Sequence, residues 1–259
     1  KDVLGRYLYL QQFKKESRDF GAQRQASEAL AIRVAMENLA RNAGYPDPIR
    51  LTWAMETKQV LEILSDATEI KIDDIVLNLV VDSDGKADVE VSKEGKMLKS
   101  VPAKYKKEKS VLALNEHKKV LREQFSRSRK GLEEAMIRGD EFHFEEMEVL
   151  IQHPVIAGHL QKLVFVLERE SAVHIGFHHK GNLVDFAGEL YPIQKEETIR
   201  IAHCYDLHAS GTWREFQHYC FEKELVQPFK QIFRELYVPT ADELAIGGVS
   251  GRYEGHQVQ

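Results

Sequence analysis

The stretch from Ile75 to Leu98, IVLNLVVDSDGKADVEVSKEGKML, decides the fold class. Ile75, Leu77, Leu79 and Val81 recur at every second position, the period of a strand with one buried face. Asp82-Ser83-Asp84-Gly85 then turns the chain, its Asp-Gly step supplying the positive φ that such a loop needs. Ala87, Val89 and Val91 return opposite Asp88 and Glu90, which makes the two runs an antiparallel hairpin. A second turn, Lys93-Glu94-Gly95-Lys96, brings Met97-Leu98 alongside as a third strand. Tight-turned antiparallel strands among helical segments predict an α+β protein.

Upstream, residues 3–43 read as two helices joined near Gly21. Ala29, Ile32, Met36, Leu39 and Ala43 share one helical face. Asn42-Ala43-Gly44 gives a stop, and Pro46 and Pro48 prevent continuation. The stripe suits packing against the first helix or the body, or else a partner surface. The expected organisation is a helical pair over residues 1–45, consistent with the end of a helical repeat array, and an α+β domain over 46–259. Leu51, Trp53 and Met55 alternate with Thr52 and Ala54, which predicts a further strand.

Downstream, a basic linker around Pro102 becomes one long helix to residue 138, with Leu114, Leu121, Phe125, Leu132 and Met136 on one face. Short helices follow at 144–152 and, from Pro154, at 154–161. A second β region is predicted from Leu163–Leu167, Val173–Phe177, Leu183–Phe186 and Thr198–Ala202, with Gly181-Asn182 at its first turn. A helix at 210–224 should turn Trp213, Phe216, Cys220 and Phe221 inward. Beyond Pro239, the segment Gly247-Gly248-Val249-Ser250-Gly251 reads as turn-like and mobile. The architecture is thus an N-terminal helical pair, antiparallel β meanders packed against helices, and one long basic helix.

Composition is that of an ordinary globular chain, with 43% hydrophobic and 30% charged residues. No run of 18 uncharged apolar residues occurs, so no transmembrane helix and no membrane partner are expected. A start at Lys1 without Met, no signal-peptide pattern, and a polar end at His256–Gln259 suggest an excised, C-terminally truncated fragment. Two cysteines, Cys204 and Cys220, fit a reducing cytoplasm better than a disulfide framework.

The net charge of −5 hides a strong asymmetry. From Lys96 to Lys130, twelve Lys or Arg stand against three Glu; from Gly131 to Leu150, seven acids stand against Arg138 alone. Such segregation marks a nucleic-acid or acidic-partner surface, two segments that face each other, or plain solvated helix. Lys119, Arg122, Arg127, Arg129 and Lys130 are the candidate contacts. At 100° per residue they spread over most of the helix circumference, and exposed aromatics for stacking do not interleave with them. Nucleic acid is therefore not the favoured partner; protein partners or other domains of the parent chain are.

Chemistry finds little foothold in these spacings. His203, Cys204, His208, His218 and Cys220 offer zinc-binding atoms. His203 and Cys204 are adjacent, however, and His218 and Cys220 point about 200° apart on a helix. No metal site is expected, and no cofactor. His203 suits a cap or core position at a strand end, Cys204 a buried inert thiol, and Cys220 a small core hydrophobe. His174, His178 and His179 read as a surface hairpin, and Glu133-Glu134 and Glu145-Glu146 as solvated helix faces. Gly247-Gly248-x-x-Gly251 lacks the Gly-Lys-Ser/Thr of a phosphate loop.

The densest signal is Ile199–Thr240, IRIAHCYDLHASGTWREFQHYCFEKELVQPFKQIFRELYVPT. It holds seven large rings in the 25 residues from Trp213 to Tyr237. These suit either core packing or a groove, with His203, Trp213, Gln227, Phe229 and Tyr237 as its lining. Gln227, before Pro228, is placed to satisfy a broken backbone ladder with its amide. This run, with its Ala202-His203 step and Gln227-Pro228-Phe229 break, resembles the signature of a bacterial domain-of-unknown-function family. That family is found in molybdate-metabolism-regulator-like proteins, often downstream of a WGR domain. The resemblance spans roughly residues 45–259 and implies no catalytic residue. The expected function is a non-enzymatic interaction or scaffold module of a larger multidomain bacterial protein. A nucleic-acid-associated module using residues 96–130 and an unrecognised enzyme are the alternatives.

Overall fold

The Asp2 carboxylate opens the first helix, α1 (Val3–Glu16), by accepting a hydrogen bond from the Gly5 N–H at 2.7 Å. The computed structural model describes residues 2–65, 69–239 and 241–246. After a 3₁₀ turn comes α2 (Ala22–Ala43), stopped by Gly44 at φ 81° as the Asn-Ala-Gly pattern predicts. Then follow α3 (Pro48–Ser65), β1 (Glu69–Ile72), β2 (Ile75–Val81), β3 (Ala87–Lys93) and β4 (Lys96–Leu98). The long helix α4 (Lys109–Arg138) leads to β5 (Glu141–His143), α5 (Phe144–Gln152) and α6 (Pro154–Leu160). The second β region holds β6 (Val164–Arg169), β7 (Ala172–His179), β8 (Asn182–Val184), β9 (Leu190–Pro192) and β10 (Thr198–Ile201). The helices α7 (Cys204–Ala209), α8 (Trp213–Glu222) and α9 (Ala241–Ile246) complete the described chain.

The fold is α+β, and the described residues form two fully antiparallel sheets. One is the meander β1-β2-β3-β4, in which Leu77 pairs with Val91 and Ser92 with Met97 as the quoted stretch predicts. The other has the order β5-β10-β6-β7-β8-β9, so β10 returns to lie between β5 and β6. Pairing of β5 with β10 joins the residues after α4 to the signature run, through Phe142 opposite Ile199.

The strand expected at Leu51–Met55 is a helix instead. Leu51, Trp53 and Met55 are all buried, yet they lie on different sides of α3. Leu51 and Met55 pack with Tyr7, Ile32, Met36 and Leu39 of the helical pair. Trp53 packs with Leu132 and Phe142 in the core of the larger sheet. Val60 and Ile63 reach the core of the meander with Leu77, Leu79 and Leu114. From Pro48 to Thr57 no residue of α3 is exposed, so this half of the helix has no polar face and its buried positions imitate a strand's period of two.

The meander docks on α6 through backbone rather than side chains. A Cβ on Gly158 would overlap the Asp84 carbonyl and lie 2.6 Å from the Gly85 nitrogen. Gly85, at φ 84°, is equally tight against the Val155 carbonyl. Lys162 Nζ closes the rim with a 2.6 Å ion pair to Asp84. Thus the Asp-Gly turn that makes the hairpin also makes the joint.

Two histidines support α6 from within. His153 Nδ1 accepts from the Val155 N–H at 3.2 Å and caps the helix, with Pro154 at its first position. His153 is fully buried, and its Nε2 has no hydrogen-bond partner among the described residues. Burial pushes its pKa down to about 4. His159 Nε2 lies 3.0 Å from the Phe125 carbonyl, its ring centroid 4.3 Å from that of Phe125. Because the folded chain holds His153 neutral and the unfolded chain protonates it near 6.5, stability is complete above about pH 6.5 and falls as pH approaches 4. That loss should amount to about 3 kcal/mol, and His153→Asn, which keeps a capping acceptor, should flatten it. Urea melts at pH 7 and pH 4.5 with parallel wild-type and variant slopes would refute the assignment.

Other departures from expectation have simple causes. β1, β5 and β9 are edge strands of three or four residues, too short to show a period. Between β10 and α8 lies a further short helix, α7, capped by His203, which the sequence pattern did not predict. His178 is buried, not on the surface, and its Nε2 also lacks a partner among the described residues. Phe221 points outward, 74% exposed, because α8 buries only Phe216 and Cys220. Glu133 and Glu146 are ion-paired to Arg234 and Arg50 rather than simply solvated. The Gly247–Gly251 segment lies outside the described residues.

Candidate functional site

Helix α4 uses most of its positive charge internally. Arg122 reaches Asp88 at 3.6 Å and donates from Nε to the Ala87 carbonyl at 3.0 Å, and Lys118 meets the same Asp88 at 2.6 Å. Lys119 lies 3.9 Å from Glu116, and Lys130 lies 3.8 Å from Glu134. Of the five candidate contacts, Arg129 alone has no acid within 4 Å among the described residues. The acidic segment after α4 is likewise engaged. Glu146 pairs with Arg50 at 2.6 Å, and Asp140 pairs with Arg138. Facing the basic segment is therefore mainly the meander, through Asp88.

Arg127 has a different role. It runs from α4 to Glu56 of α3, with Nε 2.8 Å and Nη2 2.7 Å from Oε1. The Tyr7 hydroxyl of α1 donates to the same oxygen at 3.0 Å. Burial raises the Glu56 carboxyl against the lowering pull of Arg127, and raises the Tyr7 phenol as well. Glu56 Oε2 has no partner among the described residues, and neither has the buried Oε1 of nearby Gln124. Gln124 Nε2 donates to Gln59 at 2.9 Å, giving α3 and α4 a polar seam. One carboxylate thus ties three helices together. Reading α3 as a strand hid it, since an acid inside a helix with no polar face is itself the signal of a buried partner.

The signature run folds as a strap across one end of the larger sheet. His203 caps α7: its Nδ1 accepts from the Tyr205 N–H at 3.3 Å, while Asp206 accepts from the His203 N–H at 2.8 Å. Arg200 holds Asp206 at 2.6 Å. Cys204 Sγ is 3.8 Å from His203 Nδ1, and burial raises its thiol, as it does the Cys220 thiol, pushed up to about 11. Neither thiol is prepared as a nucleophile.

Gln227 does satisfy a broken ladder, donating to the Lys162 carbonyl at 3.1 Å and accepting from the Ile232 N–H at 3.0 Å. Gln231, which the sequence reading missed, completes it. Its oxygen accepts from the Val164 N–H at 3.0 Å, and its nitrogen donates to the Val164 and Ala202 carbonyls at 2.7 and 2.8 Å. This side chain stands in for a strand across the ends of β6 and β10. Trp213 is half-buried, donating to the Ile232 carbonyl at 2.6 Å and packing beside Phe216. Phe229 packs against the opposite core, and Tyr237 is 46% exposed. The five residues named for a groove therefore lie along the strap and do not line one concavity together.

Open concavities occur elsewhere. A groove of about 700 Å³ between α1 and α2 is floored by Leu10, Ala35 and Leu39, with Arg6, Asn38 and Asn42 at its rim. A smaller one, about 380 Å³, lies on α8 beside Phe186, Arg214 and His218. Among the described residues no group of three His, Cys, Asp or Glu is arranged to hold a metal ion.

No curated protein and no solved structure matches the chain. A family described as Family of unknown function (DUF5724) matches residues 1–55, from α1 to the middle of α3. The match to the second family begins at residue 95, not near 45 as the resemblance implied, and so takes in β4, α4, the larger sheet and the strap. With residues 95–259 matched, well over half its length, the chain belongs to the family described as Domain of unknown function (DUF4132).

Proposed function

We propose that residues 1–45 and 46–259 work together as a non-enzymatic interaction or scaffold module of a larger multidomain bacterial protein. One observation carries this reading. Two buried polar groups whose pKa values burial shifts, Glu56 and His153, are committed to holding helices, while surplus charge collects on the surface. Lys96, Lys99, Lys106, Lys107 and Lys109 are exposed, with no acid within 4 Å among the described residues. A position behind a WGR domain in molybdate-metabolism-regulator-like proteins, and a cytoplasmic setting, belong to the same proposal. Two unlinked cysteines and the lack of a membrane-crossing helix among the described residues are in keeping with that setting.

The alternative partner is nucleic acid. Duplex binding through α4 would weaken steeply with salt, as counterion release demands. The pairing of Lys119, Arg122, Arg127 and Lys130 with acids leaves little charge there for phosphates. A labelled duplex should show no appreciable shift near physiological salt. A salt-sensitive shift abolished by the triple variant Arg122→Ala, Arg129→Ala, Lys130→Ala would replace this reading with the nucleic-acid one.

A further inference from the structure

Each sheet edge is a row of unpaired backbone groups that a protein must blunt or use. Among the described residues, two of the four edges, those of β5 and β9, are blocked at the backbone, and a third, that of β1, carries no net charge. On β1, Lys71 and Glu69 neutralise each other at 3.0 Å. On β5, Arg50 donates to the Glu141 carbonyl. β9 ends in Pro192, which has no N–H to offer.

β4 is different. Lys96, Met97, Lys99 and Ser100 are all exposed, Met97 at 63%. Glu94 and Gly95 both have positive φ, so a two-residue turn sets Lys93 and Lys96 as the hydrogen-bonded pair. Ladder alternation then points the N–H and C=O of Met97 away from β3, toward the open edge. Like charges directly opposite each other are unfavourable. Asp74, 2.6 Å from Lys93, relieves one of the two, and Lys96 has no such acid among the described residues. From Lys96 to Lys109 six lysines stand against Glu108 alone, and only Lys104 has an acid within 4 Å among the described residues, so this segment carries surplus positive charge.

We propose that β4 is a docking edge for an acidic, extended polypeptide segment, which adds a strand beside Met97 while its carboxylates meet Lys96 and Lys99. This mode combines main-chain hydrogen bonds with side-chain selection, and the lysines that discourage pairing with like edges select an acidic strand. The inference rests on the interaction-module reading and names its partner class.

The test uses the whole chain and a fluorescein-labelled peptide of alternating Glu and Thr, roughly ten residues long, followed by anisotropy. The wild type should bind it, and a Lys/Thr peptide of equal length should not bind. Lys96→Ala with Lys99→Ala should weaken binding at least tenfold. Met97→Pro should do the same, because it removes only the outward N–H and leaves the β3 bonds in place. The acidic peptide should also slow amide exchange at Met97 in the wild type. Absence of binding, or binding that Met97→Pro leaves unchanged with no protection at Met97, would overturn the edge proposal. If the duplex stays unbound in either case, the interaction-module reading survives. Duplex binding through Arg122, Arg129 and Lys130 would instead sink that reading itself.

Discussion

Gly158→Ala should destabilise the protein by about 3 kcal/mol, although alanine favours a helix over glycine by about 1 kcal/mol. The added methyl would sit inside the Asp84 carbonyl and close to the Gly85 nitrogen, so rigid backbone must move. The only relief is to lift the hairpin turn from α6, which also strains the Lys162–Asp84 ion pair. Gly131→Ala is the internal control. Its methyl would meet the Trp53 ring at 3.4 and 3.5 Å and Ile49 Cγ2 at 3.7 Å, all ordinary contact distances, and it should be neutral or slightly stabilising. Urea melts of both variants give the comparison. A Gly158→Ala protein within about 0.5 kcal/mol of wild type would mean that meander and α6 are not locked backbone to backbone.

Arg127→Leu should cost about 3–5 kcal/mol at pH 8, since it leaves the Glu56 carboxylate buried without its cation. The Glu56 side chain is only 1% exposed, so water cannot replace the guanidinium there. The sign of the pH dependence follows from burial. In the wild type the Glu56 pKa is already raised above its unfolded value, and without Arg127 it rises further. The folded variant therefore binds a proton that the unfolded chain gives up, and it is penalised fully only above its own raised pKa. The deficit relative to wild type should shrink as pH falls from 8 to 5. An equal deficit at both pH values, or one under about 1 kcal/mol, would show that Glu56 does not depend on Arg127.

The elements that sequence reading recovered are those whose pattern is local. Asp-Gly and Glu-Gly turns, the Gly44 stop and the one-sided face of α4 each depend on neighbours a few residues away. Leu51, Trp53 and Met55 failed because their partners lie in two different cores, on different sides of a helix whose first half exposes no residue, and this erases the helical period. Within the signature run, the capping role of His203 and the ladder role of Gln227 were visible because strand ends and Pro breaks create predictable orphan groups. Gln231 was not, as its partners Val164 and Ala202 are set by a tertiary crossing. The role of Arg127 was hidden for the same reason: Glu56 and Tyr7 are 71 and 120 positions away in the chain.

Because α3 contributes to three cores at once, it bears on how the protein melts. Leu51 and Met55, Trp53, and Val60 with Ile63 each close a different cluster, so none of these three clusters can dissolve without stripping one side of the same helix. Such a shared element couples local opening to global opening. Heating should then give one transition, with calorimetric and van't Hoff enthalpies in agreement, across a polypeptide whose first 55 residues and last 165 match two different families. The boundary between those families is invisible to denaturation, and the most slowly exchanging amides of the whole chain should be found in α3.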